Sequence, residues 1–153
     1  MARRILLVLL VVGFAGLAQR YAGPKPAKKD VPYLLQASKL IETESVEARQ
    51  EGKKDDVTYA IAGASSPVTT PMAEPIFIMQ AEKIAPERFE LHKLESKGGR
   101  RELQIKRAHA IQLDVTRLSA DGLWKLEVDE SLEPGEYSLS PKDSNQAFCF
   151  QER

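Results

Sequence analysis

The chain has 153 residues, enough for one ordinary domain. Hydrophobic residues make up 42% and charged residues 29%, a globular composition that excludes a self-repelling disordered polymer. Lys and Arg together equal Asp and Glu at 22 each, so no net field draws the chain to a polyphosphate and nothing in the overall charge points to nucleic acid.

Residues 1–18 have the pattern of a cleavable secretory signal. Met1-Ala2-Arg3-Arg4 is a short basic start, and the 14 residues from Ile5 to Ala18 form an apolar run. Gly16 and Ala18 put small residues three and one before a cut between Ala18 and Gln19. A membrane-spanning helix needs roughly 20 apolar residues, and Gln19 and Arg20 interrupt this run first. The Arg pair lacks the polar flank and the Phe-Leu-Lys continuation of a twin-arginine signal, which favours the general secretory route. No cysteine follows the run to carry a lipid. The mature protein is therefore expected in the periplasm or outside the cell. Losing Arg3 and Arg4 takes the basic residues from 22 to 20 against 22 acidic ones, a net of −2. Cys149 is the single cysteine, so stability must come from a packed core rather than a disulfide.

Residues 19–30 hold Gly23, Pro24 and Pro26 among basic residues and are expected to form an extended tether. Residues 31–153 are expected to form one β-rich domain. In residues 31–44, Tyr33, Leu34, Leu35, Leu40 and Ile41 fit two short strands around Ser38; a helix starting near Asp30 is the alternative. Residues 42–56 are dense in charge and predict a solvated loop or a short exposed helix. Val57, Tyr59 and Ile61 then alternate with smaller residues as a half-buried strand. Pro67, Pro71 and Pro75 mark residues 63–75 as a long loop.

Ile76-Phe77-Ile78-Met79 is apolar on both faces and predicts a central strand. Gly98-Gly99 joins two strands, 88–97 and 100–107, in a tight hairpin. Ile111, Leu113 and Val115 form one apolar edge, and Trp124, Leu126 and Val128 form another that assigns Trp124 to the core. Pro134-Gly135 suits the centre of a type II turn with Gly at positive φ. Tyr137 with Leu139, and Phe148 with Phe150, form the last two strands. The sum is an all-β domain of about eight short strands, an antiparallel β-sandwich or partly open barrel.

The run Glu133-Pro134-Gly135-Glu136-Tyr137-Ser138-Leu139, followed by Phe148-Cys149-Phe150, resembles the C-terminal end of uncharacterised secreted bacterial proteins. These end in a Pro-Gly-Glu-Tyr turn and a Phe-rich strand. The resemblance implies a bacterial exported domain and brings no activity or site residues with it.

Each candidate for chemistry meets a plainer alternative. His92 and His109 are the two histidines; without a third ligand or positioned acid they make a poor zinc site and are expected at the surface or a rim. Ser65-Ser66 after Gly63 fails as a nucleophile elbow because Pro67 stands where the second glycine belongs; a loop capping a strand end is expected instead. Cys149 alternates with two phenylalanines and is expected packed and inert. Asp55-Asp56 and Asp143-Ser144-Asn145 lack the spacing of a calcium loop and fit turns. Lys97, Arg100, Arg101, Lys106 and Arg107 cluster about a hairpin and are expected to be solvated. No residue is assigned as catalytic, cofactor-binding or metal-ligating. The expectation is an exported, non-catalytic binding or structural module of the bacterial envelope or secreted fraction, with another envelope or secreted protein as its partner. The alternative is a small hydrolase using a carboxylate pair drawn from Glu90, Glu95 and Glu127.

Overall fold

The computed structural model of the protein describes residues 20–153. The expected signal, residues 1–18, lies outside the described residues. From Arg20 onward the chain forms strands and two single turns of 3-10 helix, at Pro86–Arg88 and Ile105–Arg107. The strands are β1 (Tyr33–Gln36), β2 (Lys39–Glu42), β3 (Glu44–Glu47), β4 (Arg49–Glu51), β5 (Thr58–Ala62), β6 (Thr69–Thr70) and β7 (Ile76–Gln80). They continue as β8 (Phe89–Lys97), β9 (Arg100–Gln104), β10 (Leu113–Arg117), β11 (Leu123–Val128), β12 (Gly135–Pro141) and β13 (Gln146–Glu152).

Two antiparallel sheets stack. The five-stranded sheet runs β10-β11-β7-β1-β2. The eight-stranded sheet runs β3-β13-β12-β8-β9-β5-β4, with β6 beside β13. Its two end strands, β3 and β4, are one length of chain bent at Ala48, whose N–H donates to the Asn145 carbonyl at 2.7 Å. The sheet therefore returns on itself as a small barrel. The closure has one open stretch. β8 and β9 pair only where Glu95, Ser96 and Lys97 face Glu102, Arg101 and Arg100. Beyond Glu95 and Glu102 they part, and β8 turns its remaining length to β12.

The main core lies between the five-stranded sheet and the outer wall of the barrel. Leu34, Phe77, Met79, Leu126 and Val128 come from the sheet, and Phe89, Leu91, Tyr137, Leu139, Phe148 and Phe150 from the barrel. The ring centroids of Phe77 and Phe150 meet across the layers at 5.1 Å. Phe148 and Phe150 are both 0% exposed, as their alternation predicts. β7 is the middle strand of its sheet, which explains why it is apolar on both faces: Phe77 and Met79 enter the core and Ile78 is buried on the other side.

Several expectations need correction. Residues 42–56 supply β3 and β4, because Glu44, Val46 and Gln50 turn toward the barrel interior while Glu47 and Arg49 stay exposed. Residues 100–107 stop being a strand at Gln104, where the 3-10 turn begins. Gly135 is not in the positive-φ region; it opens β12, and a side chain there would press on Lys93 Cε at 3.0 Å. Gly98 and Gly99 do take positive φ, 61° and 75°, as a two-residue hairpin turn requires. Trp124 is half-buried and stands apart from the main core, with the Arg117 guanidinium carbon 5.7 Å from its ring centroid. β1 and β2 form a hairpin about Ser38, the strand alternative.

The last residues before β1 dock on the five-stranded sheet. The Lys28 N–H donates to the Tyr33 hydroxyl, and Lys29 bridges to Gln80. Asp30 takes φ 60° and accepts backbone N–H bonds from Glu82, Lys83 and Ile84. Those three donors outweigh burial and hold its carboxyl below the ordinary range.

Candidate functional site: the barrel lumen

Strand alternation sets the inner wall. In β8, Phe89 and Leu91 face the main core, so Glu90, His92 and Leu94 face the lumen. In β12, Tyr137 and Leu139 face the core while Ser138 and Ser140 face in. In β13 the inward pair is Ala147 and Cys149. The register carries this round the ring: His92 is opposite Ser138, Ser138 is opposite Cys149, and Cys149 is opposite Glu44. Ala48, Ile61, Leu94, Ala147 and Cys149 form a second apolar cluster inside, with Val46, Tyr59 and Leu103 against it.

One end of the lumen is plugged by a polar network. Arg101 is 0% exposed and spans the interior as a fork. Its Nη1 and Nη2 donate to the two carboxylate oxygens of Glu44 at 2.6 and 3.1 Å. Its Nε donates to the Gly63 carbonyl at 2.9 Å, and Nη2 also donates to Ala62 at 2.8 Å. Glu136 accepts the Ser66 N–H at 2.9 Å through Oε1, while its Oε2 is buried with no partner. Burial pushes the Glu136 carboxyl up, opposed by the Ser66 N–H and by Arg101. The Ser66 hydroxyl donates to the Cys149 carbonyl and accepts the Val68 N–H. Burial pushes the Cys149 thiol up to about 12, with Arg101 acting against it. A thiol held there is no nucleophile at neutral pH.

The other end is open. A cavity of about 320 Å³ lies between the parted strands β8 and β9, β5 and the β12–β13 turn. Its floor is apolar: Ala48, Ile61, Leu94, Leu103 and Ala147. Polar groups stand on one side, with His92 Nε2 3.7 Å from Glu90 Oε2 and Ser138 and Ser140 beside them on β12. Burial lowers the His92 pKa, with Glu90 pulling the other way, so the imidazole is neutral at neutral pH. Ile105, exposed in its 3-10 turn, forms part of the apolar lip.

The structure scatters some sequence candidates and moves others. His92 is buried in the lumen rather than set at the surface, whereas His109 is exposed and lines a separate cleft outside the β8–β9 seam. They share no site, and among the described residues no group of three or more His, Cys, Asp or Glu is placed to hold a metal. Arg101 leaves the expected solvated cluster for the interior; Arg100 pairs with Glu51 and Glu102 at 2.7 and 2.6 Å, and Lys106 and Arg107 stay exposed. Ser66 belongs to a loop that caps the plugged end. Asp143, at φ 63°, turns β12 into β13 on the cavity rim with Ser144 and Asn145. Asp55 and Asp56 lie in an exposed turn closed by Asp56 N–H to Lys53.

Of the three carboxylates considered for hydrolysis, Glu90 alone lines the cavity. Glu95 follows five residues later on the opposite face of β8, and Glu127 belongs to β11 in the other sheet. Glu44, Glu136, Ser138 and Ser140 were not singled out by sequence. The available signal was the row Glu136, Ser138, Ser140 alternating with Tyr137, Leu139 and Pro141, which reads equally well as a solvent face. Comparison with protein-family models, with curated proteins and with solved structures finds no match for the chain.

Proposed function

We propose that the protein is an exported, non-catalytic binding module of a bacterial envelope or secreted fraction, and that its binding element is the open end of the barrel. The observation that carries this is the cavity itself. Its volume of about 320 Å³ falls in the range of small-molecule sites, and an apolar floor with a few polar groups on one wall is their usual chemistry. Binding is favoured over hydrolysis because Glu90 is the one carboxylate on the polar wall, while the other carboxylate of the lining, Asp143, belongs to the β12–β13 turn beside Lys142. Export rests on the pattern of residues 1–18.

Two measurements test the two halves. Titration calorimetry with 1-octanol is expected to show one saturable site. Leu103→Trp, which fills the cavity from a half-buried position on its wall, should abolish that heat while keeping the melting transition of the parent. Unchanged binding in Leu103→Trp would remove the cavity from consideration. Terminal sequencing of the exported protein is expected to begin at Gln19, within a few residues; a product that retains Arg3 and Arg4 contradicts cleavage.

A further inference from the structure

The cavity carries an unbalanced charge. Glu90 extends from β8 onto its polar wall, and His92 is the only basic side chain within ion-pair distance of that carboxylate among the described residues. Burial disfavours the charged form of His92, against the pull of Glu90, and so weakens it as a counter-charge. On the rim, Lys142 and Asp143 are neighbours of opposite sign. Across the strand from Glu90 stands Ser140, which brings a hydroxyl and no charge. The rest of the lining is mainly apolar, from Ile61 and Leu94 out to Ile105, which is 45% exposed at the lip, with Gln50, Ser144 and Asn145 adding neutral polar groups.

From this arrangement we infer that the cavity's ligand is a small amphiphilic monocation, a primary amine on an apolar body, seated with its ammonium group at Glu90 and its body against Ile61, Leu94 and Leu103. The inference rests on the binding role proposed above and adds the ligand's charge. An apolar cavity of about 150 Å³ takes benzene, so one of about 320 Å³ has room for a short alkyl chain with its head group. An ammonium donates to carboxylate and hydroxyl oxygens alike, so Glu90 and Ser140 can share one head group. An anionic head would meet Glu90 at the same place, and the one ammonium of the lining, Lys142, is offset by its neighbour Asp143. Charge-assisted hydrogen bonds at a partly desolvated rim are stronger than neutral ones, so the head group rather than the body sets the preference.

Calorimetric titration with octylamine, 1-octanol and octanoate, three chains of nearly equal length, separates these terms. Octylamine is expected to bind at least about tenfold more tightly than 1-octanol, a difference of about 1.4 kcal/mol, and octanoate more weakly than either. Glu90→Gln keeps the shape of the wall and removes the charge. It should bring octylamine down to the affinity of 1-octanol and keep the parent's melting temperature. Octanoate binding as tightly as octylamine overturns the inference, as does a preference for amine that survives Glu90→Gln. If 1-octanol binds, Leu103→Trp blocks it and octylamine does no better, the binding role stands and the charge inference falls. If none of the three binds, both fall.

Discussion

Replacing Arg101 by Met is expected to cost the fold about 3–5 kcal/mol, the usual loss when one member of a buried ion pair is removed and the other left behind. Arg101 is wholly buried and forks onto both oxygens of Glu44, whose side chain is only 18% exposed. The substitution also strips donors from the Ala62 and Gly63 carbonyls. A domain of this size has only about 5–15 kcal/mol in all, so the single variant should be folded but fragile in urea. The double variant Arg101→Met with Glu44→Met removes the stranded carboxylate and should recover much of the loss, because an apolar replacement of both partners is often neutral or better. A single-variant loss below about 1 kcal/mol would place the pair with screened surface bridges. A double variant no better than Arg101→Met would locate the cost in the two carbonyls instead of in Glu44.

The second large effect is expected from Phe148→Ala combined with Phe150→Ala. Both rings are wholly buried where the barrel meets the five-stranded sheet, against Phe89 and Phe77. Tyr137 also stacks on Phe150 at 5.6 Å. Phe→Ala in a core costs about 3–5 kcal/mol per site, so the pair approaches or exceeds the whole stability of the domain. Little or no folded protein should remain at 25 °C. Loss of the cooperative transition can be followed by far-ultraviolet circular dichroism and by Trp124 emission. Trp124 is half-buried beside Arg117, so its emission shift on unfolding should be modest and circular dichroism the firmer signal. A melting temperature within about 2 °C of the parent would contradict the packing, since 1 kcal/mol moves a domain of this size by roughly 2–8 °C.

Period-two alternation locates β5, β10, β11, β12 and β13 from sequence, a run apolar on both faces locates β7 and the Gly98-Gly99 turn locates β8; all but β5, whose Tyr59 and Ile61 face the lumen, put one face into the main core. The same rule hides the lumen. It sorts each strand into an apolar face and another face, and takes the second for solvent. In a barrel packed against a sheet both faces are inside, one in the sandwich and one in the lumen. Ser138, Glu136 and Arg101 therefore read as surface residues although all three are buried. β3 and β4 were missed for a related reason. Glu44, Glu47, Arg49 and Glu51 make the segment look solvated, but Glu44 is consumed by Arg101 and Glu51 by Arg100, contacts that only the folded ring creates. Cys149 was legible because its two phenylalanine neighbours fix the opposite face. The cavity was not legible, since it depends on where β8 and β9 cease to pair.

The interleaving of the two sheets also fixes when the molecule can first become itself. β3, β6 and β12 all wait for β13 as their neighbour, the first and last of these partners lying on opposite sides of it. Until residues 146–152 have been synthesised, the ring lacks the strand that joins its two arms and the main core lacks Phe148 and Phe150. A ribosome-bound chain ending at Asn145 would hold hairpins and a half-built sandwich with unpaired edges, a state open to proteases and to other chains. Folding to completion thus waits on contacts distant in sequence, which are slow to form. The chain stays loosely organised for as long as β13 is withheld.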